Sequence, residues 1–201
     1  MKPYNPLEKE NLGKSVAESL LVSTPVRMSD LDEFSGAGIY AIYYTGSFKS
    51  YEPLSCKNSA PETLTYPIYV GKAVPSGGRK GIIDPQLSAK GKKLFKRLDE
   101  HRKSIEAAGN LEVEDFWCRY LIVDDVWIPL GESLIIQLFR PLWNVVVDGF
   151  GNHDPGGGRY QGKRPSWDVI HPGRPWAEKC AGALYSEEEI LGQVATYCEG
   201  L

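Results

Sequence analysis

Two runs of β-branched and aromatic residues, GIYAIYYT at 38–45 and YPIYV at 66–70, constrain the fold more than any other feature. Such side chains are stiff at χ1 and suit a pleated surface, so both runs read as strands. Alternation sends Tyr40, Ile42 and Tyr44 to one face of the first strand, while Tyr69 and Gly71 share a face of the second, opposite Ile68 and Val70. Two tyrosines can therefore meet across neighbouring strands, although a strand tyrosine is by propensity a packing residue.

Around these runs the chain punctuates readily. Residues 1–35 form a polar lead with a short helix around 15–21, hold too few apolar residues for a core, and are expected to be an arm on the main domain. A polar insertion with Pro and Ser, 46–65, separates the two strands. A Gly-rich turn at 76–81 precedes a helix over 88–108, with Leu94, Leu98 and Ile105 on one stripe. A third strand is predicted at 116–123. Pro129 sits where a first-turn proline is welcome and opens a helix that ends before Pro141; residues 143–147 are expected to be extended. Residues 148–175, rich in Gly, Pro, His and Arg without periodicity, are too long for an ordinary connection and are expected to be functional. Ser186 caps a last helix whose first turn holds Glu187, Glu188 and Glu189, where the helix dipole favours acids.

With 201 residues, 42% of them hydrophobic, the chain has the size of one domain with a sizeable core. A net charge of -3 argues, taken alone, against a polyanionic partner. The average hides a polarity: from Lys72 to Lys103 ten basic residues stand against three acids, a local +7 that leaves about -10 for the remainder. Such a field can draw a polyanion to one side, the plain alternative being a solvated helix face. Cys56, Cys118, Cys180 and Cys198 are scattered, with no C-x-x-C and no His at zinc-finger spacing. Neither a structural zinc nor a disulfide framework is suggested, and reduced, cytoplasmic thiols are expected. The N-terminal stretch has no apolar leader core, and no apolar run approaches the ~20 residues of a membrane span, so the chain is expected to be neither exported nor embedded.

Glu132 is the most informative single position. At ~100° per residue, Ile135, Ile136 and Phe139 lie within about one helical flank of it, which puts a carboxylate on the apolar face. Such a group must be protonated, paired or bound to a cation, unless it is a helix-end Glu that reaches solvent or caps its own helix. Arg97 and His101, four residues apart, share a flank beside the leucine stripe. An Arg fork suits a phosphate and a His relays protons near neutral pH, whereas on a Lys-rich helix the plain alternative is a solvated pair.

Taken together and in order, Gly38-Ile39-Tyr40, Tyr69-Val70-Gly71, Arg97 on a helix, Glu132 on a later helix and then Asn144 resemble the signature of the GIY-YIG nuclease superfamily. The match spans 36–144. Further similarity in GAGIYAIYYTG at 36–46, YVGKAVP at 69–75, WNVVVDGFGNH at 143–153 and WDVIHPGRPWAEK at 167–179 extends it towards a type II restriction-enzyme branch that cuts GC-rich palindromes such as CCGCGG. The resemblance implies an α/β (α+β) fold, a small mixed, mainly antiparallel sheet flanked by helices, with long DNA-binding loops and an N-terminal arm. In that frame 1–35 is the arm, 36–147 the catalytic core, and 148–201 a recognition loop and C-terminal helix packed on the core within a single domain. Two positions depart from the pattern: Val70 replaces the Ile of the superfamily name, and His101 stands where many relatives have Tyr.

One implicated carboxylate, Glu132, implies one divalent ion, Mg²⁺ with Mn²⁺ as a substitute, on the scissile phosphate. By the same resemblance Tyr40 activates the attacking water, Tyr69, Lys72 and His101 arrange it, Arg97 stabilises charge on phosphorus, and Asn144 supports the site. Asn144 reads equally as a strand-edge hydrogen bond, and Lys72 as a plain phosphate contact. Arg159, Lys163, Arg164, His171 and Arg174 are expected to follow a DNA groove, arginine being suited to guanine O6 and N7. The expected partners are double-stranded DNA, a second copy in a homodimer matching the two-fold axis of a palindrome, and a DNA methyltransferase as functional counterpart. Two other readings stand beside this one. A repair or homing nuclease would normally join the module to further domains, for which 201 residues leave no room. A non-catalytic DNA-binding module would use the basic helix and late loop equally well.

Overall fold

The computed structural model describes residues 8–60, 63–75 and 91–201. Its centre is a four-stranded antiparallel sheet in the order β1 (Val26–Arg27), β4 (Phe116–Ile122), β2 (Gly38–Tyr44), β3 (Tyr69–Ala73). Seven α-helices lie among the described residues: α1 (Lys9–Leu21), α2 (Glu52–Lys57), α3 (Lys93–Ala107), α4 (Ile128–Phe139), α5 (Leu142–Val145), α6 (Ser166–Ile170) and α7 (Glu187–Cys198). This mixed architecture is the α+β sheet with flanking helices that the motif order implied. The Gly-rich turn expected at 76–81, and Arg79, Lys80 and Lys90, lie outside the described residues.

All seven residues of β2 are buried, because helices cover both faces of the sheet. On one face Ile39, Ala41 and Tyr43 pack with Ala17 and Leu20 of α1 and with Ile128 and Ile135 of α4. On the other, Tyr40, Ile42 and Tyr44 join Leu94, Leu98 and Ile105 of α3, together with Trp143, Phe150 and Trp167. The α3 stripe is the one its spacing predicts. Helix α4 begins with Pro129 in its first turn and ends at Arg140, whose left-handed conformation (φ 44°) precedes Pro141. Helix α7 begins with a capping box, Ser186 with Glu189.

Four segments differ from the sequence reading. Within the stretch 1–35, read as an arm with too few apolar residues for a core, the described residues 8–35 do supply core: α1 lies against α4, Ala17 and Leu20 are buried, and β1 adds an edge strand. Few apolar residues suffice because glycines face the contact. A Cβ on Gly13 would meet Leu134 Cδ1 at 1.8 Å, and one on Gly131 would meet Val16 Cγ1 at 2.7 Å. Residues 46–65 hold α2, beside which Tyr51 and Leu54 are fully buried. The stretch expected to be extended, 143–147, is mostly the short helix α5, which buries Leu142 and Trp143. Residues 148–175, read as one irregular loop, contain α6 and β5 (Lys163–Arg164), which pairs in parallel with β6 (Ala181–Ala183). Trp167 and Ile170 of that stretch belong to the core. No helix among the described residues is long and apolar enough to cross a membrane.

The placement of α1 is testable. Leu20 is fully buried, so Leu20→Ala is expected to destabilise the protein by about 2 to 5 kcal/mol. A dispensable arm would show a change below about 0.5 kcal/mol in urea unfolding.

Candidate active site

Tyr40 on β2 stands opposite Gly71 on β3, and its ring leans across that strand. A Cβ on Gly71 would lie 2.4 Å from the Tyr40 hydroxyl, so this side-chain path needs a glycine there. The hydroxyl ends 2.6 Å from Nε2 of His101, a buried member of the α3 stripe. Burial, then the neighbouring Tyr69, hold the Tyr40 phenol well above its ordinary pKa; Arg97 pulls it down and Glu132 pushes it up. Burial also holds His101 well below the usual histidine range, with Arg97, His153 and Arg174 adding to the effect. The phenol therefore keeps its proton and the imidazole is neutral, so the two share one hydrogen bond between uncharged partners.

Tyr69 is only partly buried and lies beside Tyr40, with ring centroids 6.2 Å apart. Its phenol is also raised, first by burial and then by Glu132, while Arg97 opposes the rise. Arg97, on α3, has a side chain 19% exposed. One end of its fork donates to the Gly151 carbonyl at 2.6 Å, and the other reaches His153 and Glu100. Asn144 of α5 reads the backbone of β3 from outside: Oδ1 accepts from Val70 N at 2.8 Å and Nδ2 donates to Val70 O at 2.9 Å. Trp143 N donates to Ile68 O at 2.9 Å on the same edge. Asn144 thus holds the strand that carries Tyr69, and does so as a strand-edge hydrogen bond.

Glu132, in the second turn of α4, pairs with Lys72 of β3 at 2.5 Å, their side chains 16% and 39% exposed respectively. The carboxylate on the apolar face is therefore paired, and its charge reaches both tyrosines. Among the described residues no group of three or more His, Cys, Asp and Glu could hold a metal ion. A lone, partly exposed carboxylate suits a hard cation that keeps waters and takes substrate phosphate oxygens for most of its shell; it does not suit a closed protein cage.

Of the late-segment residues, Arg159 and Lys163 are exposed. They line a cleft of about 440 Å³ with His153 and Trp176. A second cleft, about 190 Å³, is lined by Lys93, Lys96 and Arg97 with Glu100. The two meet where Arg97 contacts His153. Arg164 is partly buried and donates to the Ala177 carbonyl at 3.1 Å. Two expected DNA contacts are corrected. His171 is buried, bonded to Tyr51 Oη at 2.7 Å and to Asn110 Oδ1 at 2.9 Å, and Arg174 is buried in an ion pair with Asp168. Both are spent inside the fold, where each satisfies polar groups that would otherwise be buried unpaired. The basic stretch is also less free than its count suggests, since Arg102 and Lys103 pair with Asp99, and Lys92 pairs with Glu33. A larger cleft of about 710 Å³, near Arg140 and Leu201, is lined by none of the candidate site residues.

His153, Gly151, Phe150 and Asp168 did not stand out as single residues in the sequence. Their only signal was membership of the two late stretches that resemble the restriction branch. A strand tyrosine hydrogen-bonded to a helical histidine thus lies beside an Arg fork, with a carboxylate on a neighbouring helix close by, on an α+β fold. A family model, the Eco29kI GIY-YIG domain, matches residues 32–198. The chain belongs to this family of restriction endonuclease domains, and so to the nucleases that act on DNA. GIY-YIG nucleases generally use divalent metal ions. No curated protein matches the chain.

The buried histidines set an acid limit. Burial lowers His171 to about 3 and lowers His101 in the same direction. Below the unfolded-state value of ~6.5 the unfolded chain binds protons that the folded chain refuses, so stability falls as pH drops. Each histidine is expected to contribute a slope of about 1.4 kcal/mol per pH unit. Urea unfolding between pH 7.5 and 5 checks this, and His171→Gln should remove part of the slope while leaving DNA affinity unchanged.

Proposed function

We propose that the chain is a type II restriction endonuclease that hydrolyses double-stranded DNA at a GC-rich palindrome as a homodimer, using one Mg²⁺ or Mn²⁺ per site. The observation that carries this reading is the convergence of Tyr40, Tyr69, Arg97 and His101 on one face of the sheet with Glu132, paired to Lys72, close enough to act on both phenols. A non-catalytic binding module gives no reason for a buried phenol–imidazole pair behind an Arg fork. A methyltransferase of the same specificity would protect the host's own sites.

Glu132 would hold the cation, which lends positive charge to the scissile phosphate and lowers the cost of deprotonating groups beside it. A strand running through the two clefts passes over Arg97, between Lys93 and Lys96 on one side and Arg159 and Lys163 on the other. Arg97 turns its fork to the phosphate oxygens and stabilises the charge that builds there. Tyr40 is fully buried, whereas Tyr69 is partly exposed. Tyr69 therefore meets the attacking water, whose proton leaves to solvent at the mouth of the site, and Tyr40 behind it, fixed by its hydrogen bond with Nε2 of His101, holds the Tyr69 phenol in place. Lys72 offsets the charge of Glu132 and orients it, and Asn144 keeps β3 in register. As water oxygen bonds to phosphorus, the opposite P–O bond breaks and the leaving sugar oxygen takes up a proton.

Two experiments test this. Glu132→Gln keeps volume and helix while removing the charge. Metal-dependent plasmid cleavage is expected to fall by orders of magnitude, with gel-shift affinity in the absence of metal retained or tightened. Its stalled complexes should sediment as two protomers per duplex. A Glu132 that serves only its helix end would cost ~0.3 to 1 kcal/mol of stability and leave nicking intact. For recognition, Arg159→Ala and Lys163→Ala are compared on a library of sites. A base-reading side chain relaxes preference at one base pair by about 1 to 3 kcal/mol, whereas a phosphate contact weakens every sequence and flattens the salt dependence. If both variants weaken all sequences alike, these two residues are not the specificity determinants.

A further inference from the structure

Arg174 is 4% exposed, and its guanidinium makes hydrogen bonds from every nitrogen. Nε and one terminal nitrogen grip both oxygens of Asp168 at 2.6 and 2.5 Å. The remaining donors reach the carbonyls of Gly149, Phe150 and Asn152 at 2.9, 3.1 and 3.2 Å. Trp167 and Trp176 lie against the guanidinium, with ring centroids 4.6 and 4.8 Å from its carbon. The five donors of an arginine are used up, so none is left for a base edge. By itself such a buried pair says little about stability, since desolvation offsets its attraction. What it defines is the shape of residues 149–152.

Three carbonyls of that turn converge on Arg174, while Gly151, between them, gives its carbonyl to Arg97 at 2.6 Å. Phe150, in the same turn, stacks on the His101 ring with centroids 4.5 Å apart and planes 17° from parallel. The turn is thus held by one guanidinium and itself holds another, along with the imidazole that is hydrogen-bonded with Tyr40. We propose that Arg174 is a positioning residue for DNA cleavage, acting on Arg97 and His101 through the 149–152 turn and making no DNA contact of its own. The role rests on the nuclease reading above. A lysine cannot replace it, because a point-charge ammonium lacks the planar fork needed to span a carboxylate and three carbonyls.

Two variants separate geometry from folding. Arg174→Lys keeps a positive charge opposite Asp168. Arg174→Met combined with Asp168→Leu removes the pair without leaving a charge buried alone. For each, the measurements are a thermal melt, DNA affinity without metal, single-turnover cleavage with Mg²⁺, and the NMR resonance of Arg97 Nε–H. Both folded variants are expected to cleave at least about tenfold more slowly than wild type with DNA affinity changed less than about threefold, and to shift the Arg97 resonance. In an Arg97→Lys background the added loss from Arg174→Lys should shrink below about twofold, the non-additivity of residues acting as one unit. Three results overturn the proposal: affinity falling in step for all sequences, which marks a DNA contact; equal slowing in both backgrounds; or a lowered melt with an unchanged rate and an unchanged Arg97 resonance. Failure of the nuclease reading looks different. Wild type would then bind DNA without metal-dependent cleavage, and the Arg97 resonance would still report whether Arg174 positions it.

Discussion

The Tyr40 hydroxyl sits in the larger core with no access to solvent, and a buried hydroxyl without a partner would cost about 1 to 3 kcal/mol. Its partner is Nε2 of His101 at 2.6 Å, and much of the surrounding structure follows from that contact. Helix α3 must be turned so that His101 points inward with Leu94, Leu98 and Ile105, which places Arg97, one turn earlier, at the mouth of the site. The strand beside Tyr40 must carry Gly71, because a Cβ there would collide with the phenol. Phe150 closes the far side of the imidazole. Each of these elements also keeps water from His101, and that exclusion holds its pKa low and the phenol's high.

The two faces of β2 divide the labour. The face covered by α1 and α4 is mainly apolar and backs the sheet. The face covered by α3 carries the polar side chains, and β3, the edge strand, is where groups from both faces come within reach of each other. An edge strand normally exposes unpaired backbone groups. Here Trp143 and Asn144 complete the hydrogen bonding of Ile68 and Val70, so the edge is closed by a short helix in place of a fifth strand. Tyr69 and Lys72 are thereby fixed on a strand that would otherwise fray, a fitting foundation for a site that must hold its groups to within a fraction of an ångström.

Charge is organised by the same economy. The basic stretch around α3 spends several residues on local acids and leaves Lys93, Lys96 and Arg97 along a cleft. The late segment buries Arg174 against Asp168 and leaves Arg159 and Lys163 exposed. A chain of net charge -3 can in this way still present clustered cationic side chains at two neighbouring clefts.

Local pattern determined much of this protein. The β-branched runs specified β2 and located β3, which runs from Tyr69 to Ala73, three residues later than the run at 66–70; the leucine stripe specified the buried face of α3, and Ser186 with Glu189 specified the start of α7, because each depends on near neighbours and on periods of two or 3.6 residues. The order of Tyr40, Tyr69, Arg97, Glu132 and Asn144 was also legible, and agrees with a family match that reaches from residue 32 to 198. Which histidines and arginines face outward was not. His171 is bound to Tyr51, 120 residues away, and Arg174 to carbonyls more than twenty residues before it, so neither fate leaves a mark in the local sequence. The same holds for α1, whose few apolar residues became core only because Gly13 and Gly131 allow two distant helices to approach closely. Sequence determined the main elements and the candidate reactive side chains; tertiary structure decided the short elements between them, which polar groups were free to act and which had to satisfy one another, since burial and partnership are properties of contacts between segments far apart in the chain.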